Sequence, residues 1–178
     1  MLQKRIDFEI VEQLRKEPQH IRLIAERLDL IPSTVMRTMR QLEKENVVDY
    51  KLAGKNKTYS LKSTPEARNH LFMTEGHKFS KILQNAKIRK IAKDLIEQTD
   101  GELIVLFGSY SKGIENKDSD IDIYIETDDN NLKKKLSRIS DKLSIKTGKL
   151  DKDNLLTKEI IKNHIIIQNI ERFYQLIK

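Results

Sequence analysis

The 178-residue chain has no cysteine and no tryptophan. Without thiols it has neither disulfides nor thiolate-held metals, and its four histidines, His20, His70, His77 and His164, are scattered without ligand spacing. Zinc is therefore not expected. No apolar run approaches the length of a membrane span, and residues 1–19 carry charges throughout, which is unlike a secretory signal. A soluble cytoplasmic protein with no membrane partner is the expectation. Glycine (6) and proline (3) are sparse enough for each to be read as a turn, a kink or a helix boundary.

Charge is what the chain has in quantity. A third of the residues are charged and the formal net charge is +7, which suits an anionic partner, although lysine-rich solubility gives the same total. Lys and Arg exceed Asp and Glu by 13 to 9 over residues 1–62, by 7 to 5 over 63–100, and by 14 to 13 thereafter. Most of the excess lies in the first third. The length allows one domain or two small ones.

Apolar spacing predicts helices over 6–14 (Ile6, Phe8, Ile10, Val11, Leu14), over 21–28 (Ile21, Ile24, Ala25, Leu28) and over 32–45 (Val35, Met39, Leu42). Pro32 suits the first turn of the third, with Ile31 or Ser33 as its cap. After Asn46 the period changes to two, predicting a strand over 47–52, a turn at Ala53-Gly54-Lys55-Asn56 and a partner strand over 58–61. Thr64-Pro65-Glu66 reads as the start of a longer helix, with a kink or break expected at Gly76. A further helix is expected over 86–97, with Lys87, Arg89, Lys90 and Lys93 outward.

Three helices followed by a hairpin resemble a winged helix-turn-helix, and LIPSTVMRTMRQLEKENVV resembles its recognition segment. The resemblance implies double-stranded DNA as a partner. On that reading Ser33, Thr34, Arg37, Thr38, Gln41 and Lys44 line the groove-facing side of the third helix, with Arg40 at its flank and Lys51, Lys55 and Lys57 on the wing. The competing reading is a tri-helical module for protein contact or dimerisation.

The stretch LIVLFGSYSKGIENKDSDIDIYI organises the rest. It reads as a strand over 103–107, a bend at Gly108-Ser109, a short helix over 110–114, a loop and a strand over 120–126. Alternation places Asp120 and Asp122 on one face, with Ile121 and Ile123 on the other. Two adjacent carboxylates repel, and a divalent cation such as magnesium offsets that repulsion. Gly108, lacking Cβ, lets backbone N–H groups approach an anion. Beyond it, helices are expected from Leu132, Leu136, Ile139 and Leu143, then over 155–163 and 170–177, with strands over 143–150 and 164–168.

Gly108-Ser109, ten residues, then Asp120-Ile121-Asp122 match the signature of the nucleotidyltransferase superfamily that includes DNA polymerase beta. GSYSKG followed by SDIDI most resembles its minimal prokaryotic branch. The implied fold class is α+β: a winged helix-turn-helix (1–63), a helical connector (64–100) and a polymerase-beta-like nucleotidyltransferase α/β domain (101–178). The implied activity is magnesium-dependent transfer of AMP from ATP, a nucleoside triphosphate, to a hydroxyl, amine or phosphate. Gly108 and Ser109 would hold the outgoing phosphates, and Asp120 and Asp122 the Mg2+. Lys112 is either a phosphate contact or a solvated lysine. The acceptor on this resemblance is a protein, in an antitoxin-like role toward a toxin partner, or a small molecule. Active family members usually add a third acid from the next strand, and LSIKTGKL has none. Asp151 and Asp153 either substitute for it or serve as turn and cap residues. The alternative function is therefore a winged-helix transcription regulator whose degenerate nucleotidyltransferase-like half senses nucleotide or mediates a homodimer.

Overall fold

The structure is a computed structural model that describes residues 5–54 and 56–177. Its first elements are α1 (Ile6–Lys16), α2 (Ile21–Arg27), α3 (Pro32–Lys44) and an antiparallel hairpin, β1 (Val48–Ala53) with β2 (Asn56–Leu61). This is a winged helix-turn-helix. The α3 stripe Val35, Met39 and Leu42 packs with Ile10, Val11 and Leu14 of α1, Ile24 of α2, and Val47, Val48 and Tyr59. His20 caps α2, its Nδ1 accepting from Leu23 N at 3.1 Å. At α3 the cap position falls on Ile31, which makes no side-chain bond, and Pro32 fixes the first turn instead. Asn46, at φ +61°, ends that helix in the left-handed region and turns the chain into the strand. The root of the hairpin is tied to the turn between α1 and α2, because Gln19 and Tyr59 exchange backbone hydrogen bonds of 2.9 and 2.8 Å.

α4 (Pro65–Ile82) is capped by Thr64, whose Oγ1 accepts from Ala67 N at 3.2 Å and donates to Asn46 O at 2.7 Å. The break expected at Gly76 is absent, and the helix runs through it. A helical glycine costs only about 1 kcal/mol against alanine, and the adjoining Thr74 and Glu75 are buried in the fold, so packing carries the helix on. The chain divides into two compact units, one ending at His77 and the other beginning at Lys78.

The second unit contains α5 (Ala86–Glu97), β3 (Ile104–Phe107), α6 (Gly108–Lys112), β4 (Ile121–Ile125), α7 (Asn130–Leu136), β5 (Leu143–Thr147), α8 (Leu155–Lys162), β6 (Ile165–Gln168) and α9 (Ile170–Leu176). The four strands form one sheet in the order β5-β4-β3-β6, with β4 parallel to β5 and the other pairs antiparallel. Alternation along the strands separates two cores. Ile104, Leu106, Ile121, Ile123 and Ile145 pack with Ile88, Ile91 and Leu95 of α5 and Leu136 of α7. Val105, Phe107, Tyr124 and Ile166 pack with Ile160 of α8 and Phe173 of α9. Thus α5, expected within a connector, lays its apolar face on the sheet. α7 stops at Leu136, and Ile139 reaches the core from a turn.

Candidate active site

The paired acids sit where β4 begins. Asp120 immediately precedes the strand and is exposed, while Asp122 lies within it and is half-buried. Antiparallel register sets Asp122 opposite Phe107, the last residue of β3, and parallel register sets it beside Ser144 of β5. The chain leaves β3 at Gly108, φ +70°, directly under the Asp122 side chain. A Cβ built on Gly108 collides with Asp122 Oδ2 and falls 3.0 Å from its Cγ. The glycine is required twice over, by its backbone angle and by that contact.

Gly108 and Ser109 open α6 and Lys112 closes it. With only five residues, that helix has little macrodipole to offer an anion. Ser111 Oγ lies 2.9 Å from Gly108 O and 3.2 Å from Asn163 O, which fastens the bend to the end of α8. Lys112 Nζ donates to Glu159 Oε1 at 2.6 Å, so in this conformation the lysine is an ion-pair partner of α8.

Burial holds the Asp122 carboxyl above its ordinary value. A hydrogen bond from the Ser144 hydroxyl opposes the shift, the Asp120 charge adds to it, Lys146 opposes it and Glu159 adds to it. Ser144 and Lys146 are alternate residues of β5, so both share the face of Asp122. They stand where the family resemblance implied a third acid. Asp151 is a turn residue, its Oδ1 accepting from Asp153 N at 3.0 Å, and Asn154 caps α8. Among the described residues no group of three or more His, Cys, Asp or Glu is placed to hold a metal ion. Ser144, Glu159 and Lys146 were not singled out from the sequence, because only strand register and helix packing bring them to Asp122.

In the first unit Ser33, Arg37, Arg40, Gln41 and Lys44 are exposed on α3, and Thr34 and Thr38 are half-buried. Thr38 Oγ1 donates to Thr34 O at 3.2 Å and Gln41 Nε2 to Glu45 Oε1 at 2.7 Å. Lys57 is on β2 with its Nζ 3.5 Å from the Tyr50 ring centroid. Lys55 lies outside the described residues. An open cavity of about 520 Å³, lined by His20, Arg22, Ser33, Met36, Asn56 and Lys57 among others, separates the start of α3 from the hairpin.

Comparison with known proteins gives a family and distant structural likenesses. Among solved structures, the chain is similar to a point mutant of Lactococcus lactis ZitR, at 13% identity and a TM-score of 0.40 over 53% of this chain and 63% of that one. It is similar to the adhesin competence repressor AdcR of Streptococcus pyogenes at 16% identity and a TM-score of 0.36, over 53% of this chain and 77% of that one. A toxin-antitoxin structure with AMP-PNP is 28% identical with a TM-score of 0.37, over 49% of this chain and 77% of that one. The chain thus spans less than two thirds of the ZitR mutant chain. No curated protein matches it. The family model of the nucleotidyltransferase domain matches residues 86–175, half of the chain, from α5 into α9. The chain belongs to the nucleotidyltransferase domain family.

Proposed function

We propose that this protein is a DNA-binding nucleotidyltransferase that passes AMP from ATP to an acceptor and releases pyrophosphate. The observation that carries the reading is the Asp122 carboxylate seated on the Gly108 bend, beside Ser109. Backbone N–H groups at a residue without Cβ, together with the Ser109 hydroxyl, suit the oxygens of the outgoing phosphates. Asp120 and Asp122 are hard oxygen donors on one strand face, a donor set that fits magnesium. The ion, when bound there, supplies neutralising charge for the phosphates. Ser144, paired with Asp122 in register, favours its charged form, and Lys112, at the end of α6, would exchange its ion pair with Glu159 for a phosphate contact. In this assignment 1–63 is the DNA-binding part, and the catalytic part takes in α5 of the expected 64–100 connector as well as 101–178. The exposed α3 side chains Ser33, Arg37, Arg40, Gln41 and Lys44, with Lys57 on the wing, would face the nucleic acid.

The test is incubation with α-labelled ATP, magnesium and cell extract. Label is expected to pass to an acceptor, and to none after Asp120→Ala with Asp122→Ala. A second reading, nucleotide sensing without transfer, is favoured by Ser144 and Lys146 standing in place of an acid. ATP binding without label in any fraction would select it.

A further inference from the structure

The face of β5 beside Asp122 carries a hydroxyl and an ammonium group where a hydroxyl-activating acid would be useful. We infer that the acceptor attacks through a phosphate oxygen, and that Lys146 and Lys142 beside Ser144 form its docking site; this rests on the transfer reading above. Two independent observations support it. The first is register: Asp122 pairs with Ser144 and Tyr124 with Lys146, so the lysine stands one alternate position along the same sheet face, at an edge strand open to solvent. Lys146 is exposed, and its charge acts on Asp122.

The second is charge placement. Residues 101–178 are nearly balanced, 14 basic to 13 acidic, yet residues 130–150 hold seven basic side chains and one acid, Asp141. Lys142 is fixed at the mouth of the site. Its carbonyl accepts from Ile121 N at 2.8 Å, and its Nζ donates to Lys117 O at 2.6 Å in the loop that leads to Asp120. A hydroxyl acceptor must give up a proton as it attacks, and β5 has no carboxylate to take it. A phosphomonoester has its second pKa at about 6, so it reaches the site as an anion and needs no base.

The step balances without an added reactant. A phosphate oxygen of the acceptor bonds to the α-phosphorus of ATP, and the bond from that phosphorus to the bridging oxygen of the β-phosphate breaks. The electron pair leaves with pyrophosphate, no proton is moved, and the product contains a new P–O–P linkage.

Inorganic phosphate is the simplest probe. With the full chain, ATP and magnesium, 32P-labelled phosphate is expected to appear in ADP, with unlabelled pyrophosphate released. A nucleoside 5′-monophosphate and a 5′-phosphorylated oligonucleotide, each beside its dephosphorylated counterpart, distinguish a free phosphate from a chain-borne one. Lys146→Ala is expected to raise KM for the phosphate acceptor about ten-fold or more, the loss of one charge-assisted contact, a larger change than in ATP affinity, with KM restored by Lys146→Arg. Label passing to the hydroxyl counterparts and not to the phosphates overturns this inference and leaves transfer standing. ATP bound with no label in either set overturns this inference, and the absence of label in cell extract as well overturns transfer. An unchanged KM in Lys146→Ala removes the docking site.

Discussion

Asp122 Oδ2 occupies the space that a β-carbon on Gly108 would need. Gly108→Ala therefore forces a methyl group into the carboxylate and an L-residue into positive φ. The expected cost is about 1–3 kcal/mol for the strained backbone, read as a lower thermal midpoint. ATP affinity should fall with it, because the bend and the carboxylate move together. Titration calorimetry showing unchanged ATP affinity would detach the bend from phosphate binding.

Lys112 is held by Glu159, and both side chains are partly exposed, so the pair is worth no more than about 1 kcal/mol. Glu159→Gln releases the lysine and removes a carboxylate that acts on Asp122. ATP is expected to bind up to about five-fold more tightly, the equivalent of that energy. Weaker binding would mean that the ion pair organises the site.

Burial, reinforced by Asp120 and Glu159 against Ser144 and Lys146, raises the Asp122 carboxyl above its unfolded value. The folded state then holds this proton more tightly than the unfolded chain does. The stability it contributes is fully present below the unfolded value and is lost as pH rises through the folded one. Asp122→Asn escapes that loss. Without added metal, its thermal midpoint relative to the unaltered protein should climb as pH rises from about 4 and then level off. A flat difference would contradict the burial of the charge.

For the first unit, each α3 cation that neutralises a DNA phosphate adds about 0.9 to the slope of log affinity against log salt. Arg37→Ala with Lys44→Ala is expected to reduce that slope by about 2. Lys134→Ala with Lys135→Ala, on α7, should leave it unchanged. An unaltered slope in the α3 variant would remove this helix from the interface.

Periodicity alone located most elements, because each strand and helix has one apolar face to bury. The stripe Val35, Met39, Leu42 and the alternation of Ile121 and Ile123 against Asp122 are both visible in the order of residues and both realised in the cores. Gly76 misled, since local propensity is weaker than the packing around Thr74 and Glu75. The neighbours of Asp122 were out of reach for a different reason. Ser144 and Lys146 meet it through parallel register across an intervening helix, and Glu159 acts on it from α8. No local pattern encodes those distances along the chain.

The paired backbone bonds between Gln19 and Tyr59 make the hairpin and the turn ahead of α2 a single mechanical plate. A load applied to the hairpin is delivered to the turn that leads into α2 instead of being absorbed by bending at the hairpin's root. Amide protons at those two positions should accordingly exchange together and slowly, and a ligand pressing on the tip would be felt as torque on the helix pair.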